Sequence, residues 1–264
     1  MGYGDVTYNL YLFIAVSSKC LRQRLLTCIV GRIEMRRIQS LVLLTIILLA
    51  FVSMLPLLAS AKEEPVYLMI VEWDGPQKVI VYAIPPIDDS LTNPHYKLLP
   101  FHWYTTAKYW INPSNKYGFS VSAVVSTITT SAETWDKETA AAVFSYQGTT
   151  TKKAGRYDGY NVIAWGAYQA GAIAVTYIWY SGSHILETDT RMNQLYTWSL
   201  SGEAGKMDVQ NIMTHEFGHW AGLDDLYNDV DYWLTMYGYA DYGETYKRTL
   251  GLGDINGLEA WYGP

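Results

Sequence analysis

The sequence predicts an α+β fold, and three observations carry that prediction. Short runs rich in β-branched and aromatic residues alternate with glycine-bearing turns through the middle of the chain. One long segment among them, residues 119–136, repeats its apolar residues at helical rather than strand spacing. The last third then carries two helical segments, the first built around the run HEFGHWAGLDD at 215–225.

Taken in order, residues 66–72 (VYLMIVE) and 78–84 (KVIVYAI) are apolar, β-rich runs around the turn signal Trp73-Asp74-Gly75-Pro76, which predicts a hairpin. Residues 85–100 hold Pro85, Pro86, Pro94 and Pro100 and read as a linker, so 62–99 is expected to be a small N-terminal segment ahead of a main domain at 100–264. That domain opens with a strand at 108–111. In the helix that follows, Val121, Val124, Val125, Ile128 and Trp135 fall on one face. Strands are expected at 142–146, 162–165, 173–180 and 185–188. A helix over 208–222 has Asp208 as its N-cap, and a short last helix begins near Asp254 with Ile255, Leu258 and Trp261 on one side.

Ahead of these elements, residues 41–59 contain no charge, follow Arg36 and Arg37, and end at Ala59-Ser60-Ala61. A basic start, an apolar core and small residues at the end read as a secretory signal over 35–61, which makes residues 1–34 an extension ahead of a start at Met35. The 19-residue uncharged stretch also approaches the roughly 20 residues that span a bilayer, so 41–59 reads alternatively as a membrane anchor with the domain held outside. Both cysteines, Cys20 and Cys28, lie in the extension, and the exported part is expected to fold without disulfides. Six of the 19 basic and two of the 25 acidic residues precede Lys62, which leaves a net charge of −10 on the exported part. Such a surface carries no basic footprint for nucleic acid.

The run at 215–225 carries the chemistry. His215 and His219 stand four apart, so on a helix both imidazoles leave the same face towards one point. Glu216 projects beside them without joining the pair. Gly222 can take the left-handed conformation that ends a helix and turns the chain back, which delivers Asp225 as a third ligand. Two histidines and a carboxylate leave a fourth zinc position for water, and Glu216 is placed to act as its general base. The implied reaction is metal-assisted hydrolysis. A structural zinc site would favour cysteines and fill four positions, and a non-catalytic cell-surface module that merely holds the metal would have no need of a base at 216.

HExxH followed by xxG and a ligand three residues later resembles the metzincin clan of zinc peptidases, with aspartate as third ligand as in its snapalysin-like members. The resemblance implies a methionine turn, matched by Leu234-Thr235-Met236-Tyr237-Gly238, with Met236 packing beneath the metal. KYWINPSN at 108–115, ILETDTRMN at 185–193 and the closing segment 249–263 are similar to matrixin catalytic domains, so the likeness spans about 100–263. It implies a metzincin-like zincin fold: a twisted, mostly parallel sheet, two long helices on one side and a short C-terminal helix. It further implies a secreted zinc endopeptidase acting on protein or peptide substrates. Where astacin-like relatives carry an oxyanion tyrosine this chain has Gly238, flanked by Tyr237 and Tyr239. His184, Glu187 and Asp189 lie where matrixins often hold structural metals, but a calcium or second zinc site is not predicted. The gluzincin arrangement would need Glu244 as ligand, in a turn-like setting that does not suit it.

Overall fold

The computed structural model describes residues 66–74 and 88–264. The apolar stretch 41–59, both cysteines and the expected strand at 78–84 lie outside the described residues. Among those described, no helix is long and apolar enough to cross a membrane. The described residues form eight strands: β1 (Tyr67–Asp74), β2 (Ala107–Asn112), β3 (Phe144–Thr149), β4 (Asn161–Gly166), β5 (Ala172–Ser181), β6 (His184–Asn193), β7 (Trp198–Ser199) and β8 (Met207–Asp208). Helices α1 (Val121–Asp136), α2 (Val209–Trp220) and α3 (Leu252–Tyr262) complete the frame, and the class is α+β.

Six strands form one sheet in the order β1-β5-β6-β4-β2-β3, and β7 pairs with β8 separately. The sheet is mixed. β2 pairs in parallel with β3 and β4, and β4 with β6, whereas β5 is antiparallel to both β6 and β1. The sheet is thus mostly parallel, as expected, with β5 alone running against the rest. The two-residue turn between β5 and β6 forces this, because a parallel partner would need a long crossover.

β1 corrects one expectation. Expected in a small segment ahead of the main domain, it is the outer strand of the main sheet among the described residues, paired with β5 from Tyr67↔Tyr180 to Trp73↔Ala174. Val71 is buried in the main core with Met69 packed against it, and apolar burial accounts for their place there. The segment read as a linker is likewise part of the domain. Leu99 N–H donates to Gly222 O (2.9 Å) and Asp224 N–H to Lys97 O (2.8 Å), while Asn93 and His95 both bond Asp231. Between Pro94 and Pro100 the backbone groups of Lys97 and Leu99 thus pair with the loop after α2.

Helices α1 and α2 pack on each other, α1 also against β3 and α2 against β5. The α1 face is Val124, Ile128, Ala132 and Trp135, all buried; Val121, expected there, is exposed because it sits in the first turn. Ser120 caps that helix by accepting from Ala123 N–H (3.2 Å). Trp135 Nε1–H donates to Thr214 O (2.7 Å) and ties α1 to the metal-motif helix. On β5, Ala174 and Ile178 enter this core, whereas Val175, Tyr177 and Trp179 form a cluster on the opposite face. Burial on both faces explains why β5 reads as an unbroken apolar run.

Candidate metal centre

α2 starts where Asp208 accepts from Asn211 N–H (3.0 Å), and Arg248 grips the same carboxylate with Nε (2.8 Å) and Nη2 (2.6 Å). It ends in a Schellman motif: Leu223 N–H bonds Gly218 O (2.9 Å) and Gly222 N–H bonds His219 O (3.0 Å). Gly222 has φ of 90°, and a Cβ there would stand 2.8 Å from Phe101 O, so both conformation and space require glycine. The turn sends the chain back under the helix and brings Asp225 to the two histidines.

Asp225 Oδ1 lies 3.2 Å from His215 Nε2 and 3.6 Å from His219 Nε2, and the three donor atoms are all within 4.8 Å of one another. The histidines are fully buried and Asp225 is 4% exposed. His215 Nδ1 donates to Thr235 O (2.8 Å) and His219 Nδ1 to Leu223 O (2.9 Å). Because a carbonyl only accepts, these bonds place the ring proton on Nδ1 and leave Nε2 as the coordinating lone pair. His219 Nε2 has no hydrogen-bond partner. Two oriented imidazoles and a carboxylate fit a divalent transition ion, and this group could hold a metal.

The electrostatics agree with that use. Burial pulls the His215 pKa down, with a smaller push from His219, which favours the neutral ligand form against the opposing pull of Asp225. For Asp225, burial acts to raise the pKa, but His219, His215 and the Tyr227 hydroxyl together outweigh it and the net shift is downward. Tyr227 donates to Asp225 Oδ2 (3.0 Å). The neighbouring Asp224 does not face the site and instead pairs with Lys97 at 2.6 Å on the surface.

Glu216 is fully buried beside the pair. Its Oε2 accepts from the Thr176 hydroxyl on β5, while Oε1 has no hydrogen-bond partner. Burial pushes its carboxyl up to about 7, and Asp225 adds to the rise against His219 and the Thr176 bond. A carboxyl poised there can exchange a proton near neutral pH.

Met236 lies under α2. A Cβ on Gly218 would stand 2.1 Å from Met236 Sδ and 2.8 Å from the Trp135 ring, so the glycine of HEFGH is the space into which the methionine packs. The turn carrying Met236 is fixed at both ends: Asp254 accepts from Thr235 N–H (2.8 Å) and Met236 N–H (3.0 Å), and Leu226 bonds Met236 O and Gly238 N–H. One short turn thus supports the methionine and, through Thr235 O, orients His215.

Gly238 has a local reason too. A Cβ there would meet the Tyr227 ring at 2.4 Å, so the ring whose hydroxyl holds Asp225 fills the space a larger residue would need. Tyr237 and Tyr239 pack edge to face at 5.6 Å.

Among the described residues, His184, Glu187 and Asp189 of β6 do not assemble into a metal site. His184 stacks on Tyr104, Glu187 accepts from Asp158 and Gly159 N–H, and Asp189 accepts from Gly155, Arg156 and Val162 N–H. Their carboxylates close the 155–162 loop instead. Glu244 accepts from Asn211 Nδ2 (2.9 Å) and pairs with Lys247, and is not part of the His215–His219–Asp225 group. Thr176, Thr190 and Tyr227 escaped the sequence reading. For the two threonines the available signal was a hydroxyl in the middle of a strand, a weak one because strands commonly carry threonine; Tyr227 lies in the loop after α2.

No family model matches the sequence, and no curated protein is significantly similar to it.

Proposed function

We propose that this chain is an exported zinc-dependent endopeptidase of metzincin type, with His215, His219 and Asp225 as zinc ligands. The single observation that carries this reading is the pairing of a buried, tautomer-fixed His-His-Asp group with a carboxylate that is not a ligand. A binding site gains nothing from Glu216, whose burial without full hydrogen bonding costs stability. Held by His215, His219 and Asp225, zinc would supply the Lewis acidity that acidifies water and polarises a peptide carbonyl.

The protein's own residues do the remainder. Thr235 O and Leu223 O hold the two imidazoles in the ligating tautomer. Tyr227 fixes the aspartate. Glu216 accepts a proton at Oε1 as water attacks the carbonyl, then returns it to the departing amine. Met236 keeps the floor beneath the histidines packed. The substrates are proteins or peptides, and export by the segment 35–61, or display outside a membrane through 41–59, would make the enzyme extracellular.

The test is a peptide library incubated with the purified 62–264 chain, with and without chelator. Glu216→Gln should retain zinc and fold while turnover drops about 10²- to 10⁴-fold. A wild-type chain that binds one zinc per molecule and cleaves no peptide would favour the metal-holding surface module instead.

A further inference from the structure

The face of α2 that carries Glu216 also carries Trp220, one turn further on, and both are fully buried against the sheet. Opposite them stand Thr176 on β5 and Thr190 on β6, a directly registered pair, also fully buried. Four polar atoms join these residues in a line. Trp220 Nε1 lies 2.8 Å from Thr190 Oγ1, Thr190 Oγ1 lies 2.6 Å from Thr176 Oγ1, and Thr176 Oγ1 meets Glu216 Oε2.

The direction of the line follows from the chemistry of its ends. An indole N–H can only donate, so Thr190 accepts from Trp220. In the ionised form that takes up a proton, the Glu216 carboxylate can only accept, so Thr176 gives its proton to Oε2. The hydroxyl proton of Thr190 is then left for Thr176. Every donor finds one acceptor, and the line runs from helix to sheet and back to the same helix.

We infer that Thr176 is the positioning residue for Glu216, with Thr190 and Trp220 holding the Thr176 hydroxyl in its donating orientation. The inference rests on the proposed peptidase reading, because it gives the two carboxylate oxygens different tasks. Oε2 is anchored to the sheet. Oε1, on the same rigid group, is left to take up and release the proton. Without the anchor a glutamate side chain has three torsions to fix by packing alone, and the carboxylate can turn either oxygen inward.

The experiment compares Thr176→Val, which keeps the shape and removes the hydroxyl, with Thr176→Ser, which keeps the hydroxyl and removes a methyl. On a fluorogenic peptide taken from the library, Thr176→Val should lower kcat about ten- to a hundredfold with KM and zinc content unchanged. Thr176→Ser should restore most of the loss. Should the valine variant fail to fold, Thr176→Ala replaces it. A second readout does not depend on turnover: the infrared carboxylate band of Glu216, isolated as wild type minus Glu216→Gln, should shift in the valine variant and not in the serine variant. Equal kcat in Thr176→Val and wild type, equal loss in the serine and valine variants, or a band that does not move overturns the assignment. An inactive wild type whose band shifts as expected would instead overturn the peptidase reading and leave the anchor standing.

Discussion

At the scale of single residues, the adjacent Asp224 and Asp225 have opposite fates. Asp224 N–H bonds Lys97 O and its side chain reaches Lys97 at the surface, whereas Asp225 points inward to both histidines and receives the Tyr227 hydroxyl. Asp225→Ala should therefore lose most bound zinc, and Asp224→Ala should keep it, because exposed ion pairs contribute little. Metal content after dialysis against a weak chelator checks this. Equal losses in the two variants would refute the assignment. The spacing from Gly222 already pointed to Asp225, and the Schellman turn supplies the reason: φ of 90° at Gly222 sets the direction in which the next three residues leave the helix.

At the scale of elements, α2 is constrained on all sides, and its small residue is as specific as its charged ones. Gly218 sits against Met236 and Trp135 with no room for a Cβ. Gly218→Ala should cost about 1–3 kcal/mol by overpacking, despite alanine's better helix propensity, and displace the methionine turn that orients His215. Thermal unfolding measures the loss. A more stable alanine variant would mean that the turn moves freely. The junction of α1 and β3 makes a separate prediction. Asp136, the last residue of α1, accepts from Val143 and Phe144 N–H through Oδ1, and burial, with Glu133 adding to it, pushes its carboxyl up to about 6. A folded value above the ordinary one means that the native state binds more protons between about pH 4 and 6. Wild type should thus gain stability relative to Asp136→Asn as pH falls through that window, since the asparagine oxygen can still accept both bonds. Urea midpoints for the two proteins at pH 4 and 7 check the sign, and an unchanged difference would show that Asp136 titrates normally.

At the scale of the whole molecule, β1 closes the β5 side of the sheet. Its removal would leave a long apolar strand with unpaired N–H and C=O groups, and would uncover the core beside Val71. A chain beginning at residue 88 should melt at lower temperature and self-associate with rising concentration, as read by light scattering. A monomeric truncation of unchanged stability would show that β1 adds nothing to the sheet. The same strand marks the boundary between sequence and tertiary structure. Local chemistry alone wrote the cap at Asp208, the α1 face from Val124 to Trp135, the approximate positions of β1 to β6, the i,i+4 histidines and the glycine that ends α2, because each depends on residues within about two helical turns. Tertiary contact decided what those elements meet: that residues 67–74 pair with β5, that 88–99 brace the loop after α2, and that β5 alone runs antiparallel. It also decided that Thr176, Tyr227 and Gly218 belong to the site. A threonine in a strand or a glycine in a helix has no local signature of a partner 18 to 40 residues away, and only the packing of α2 on the sheet and over the 234–238 turn brings them together.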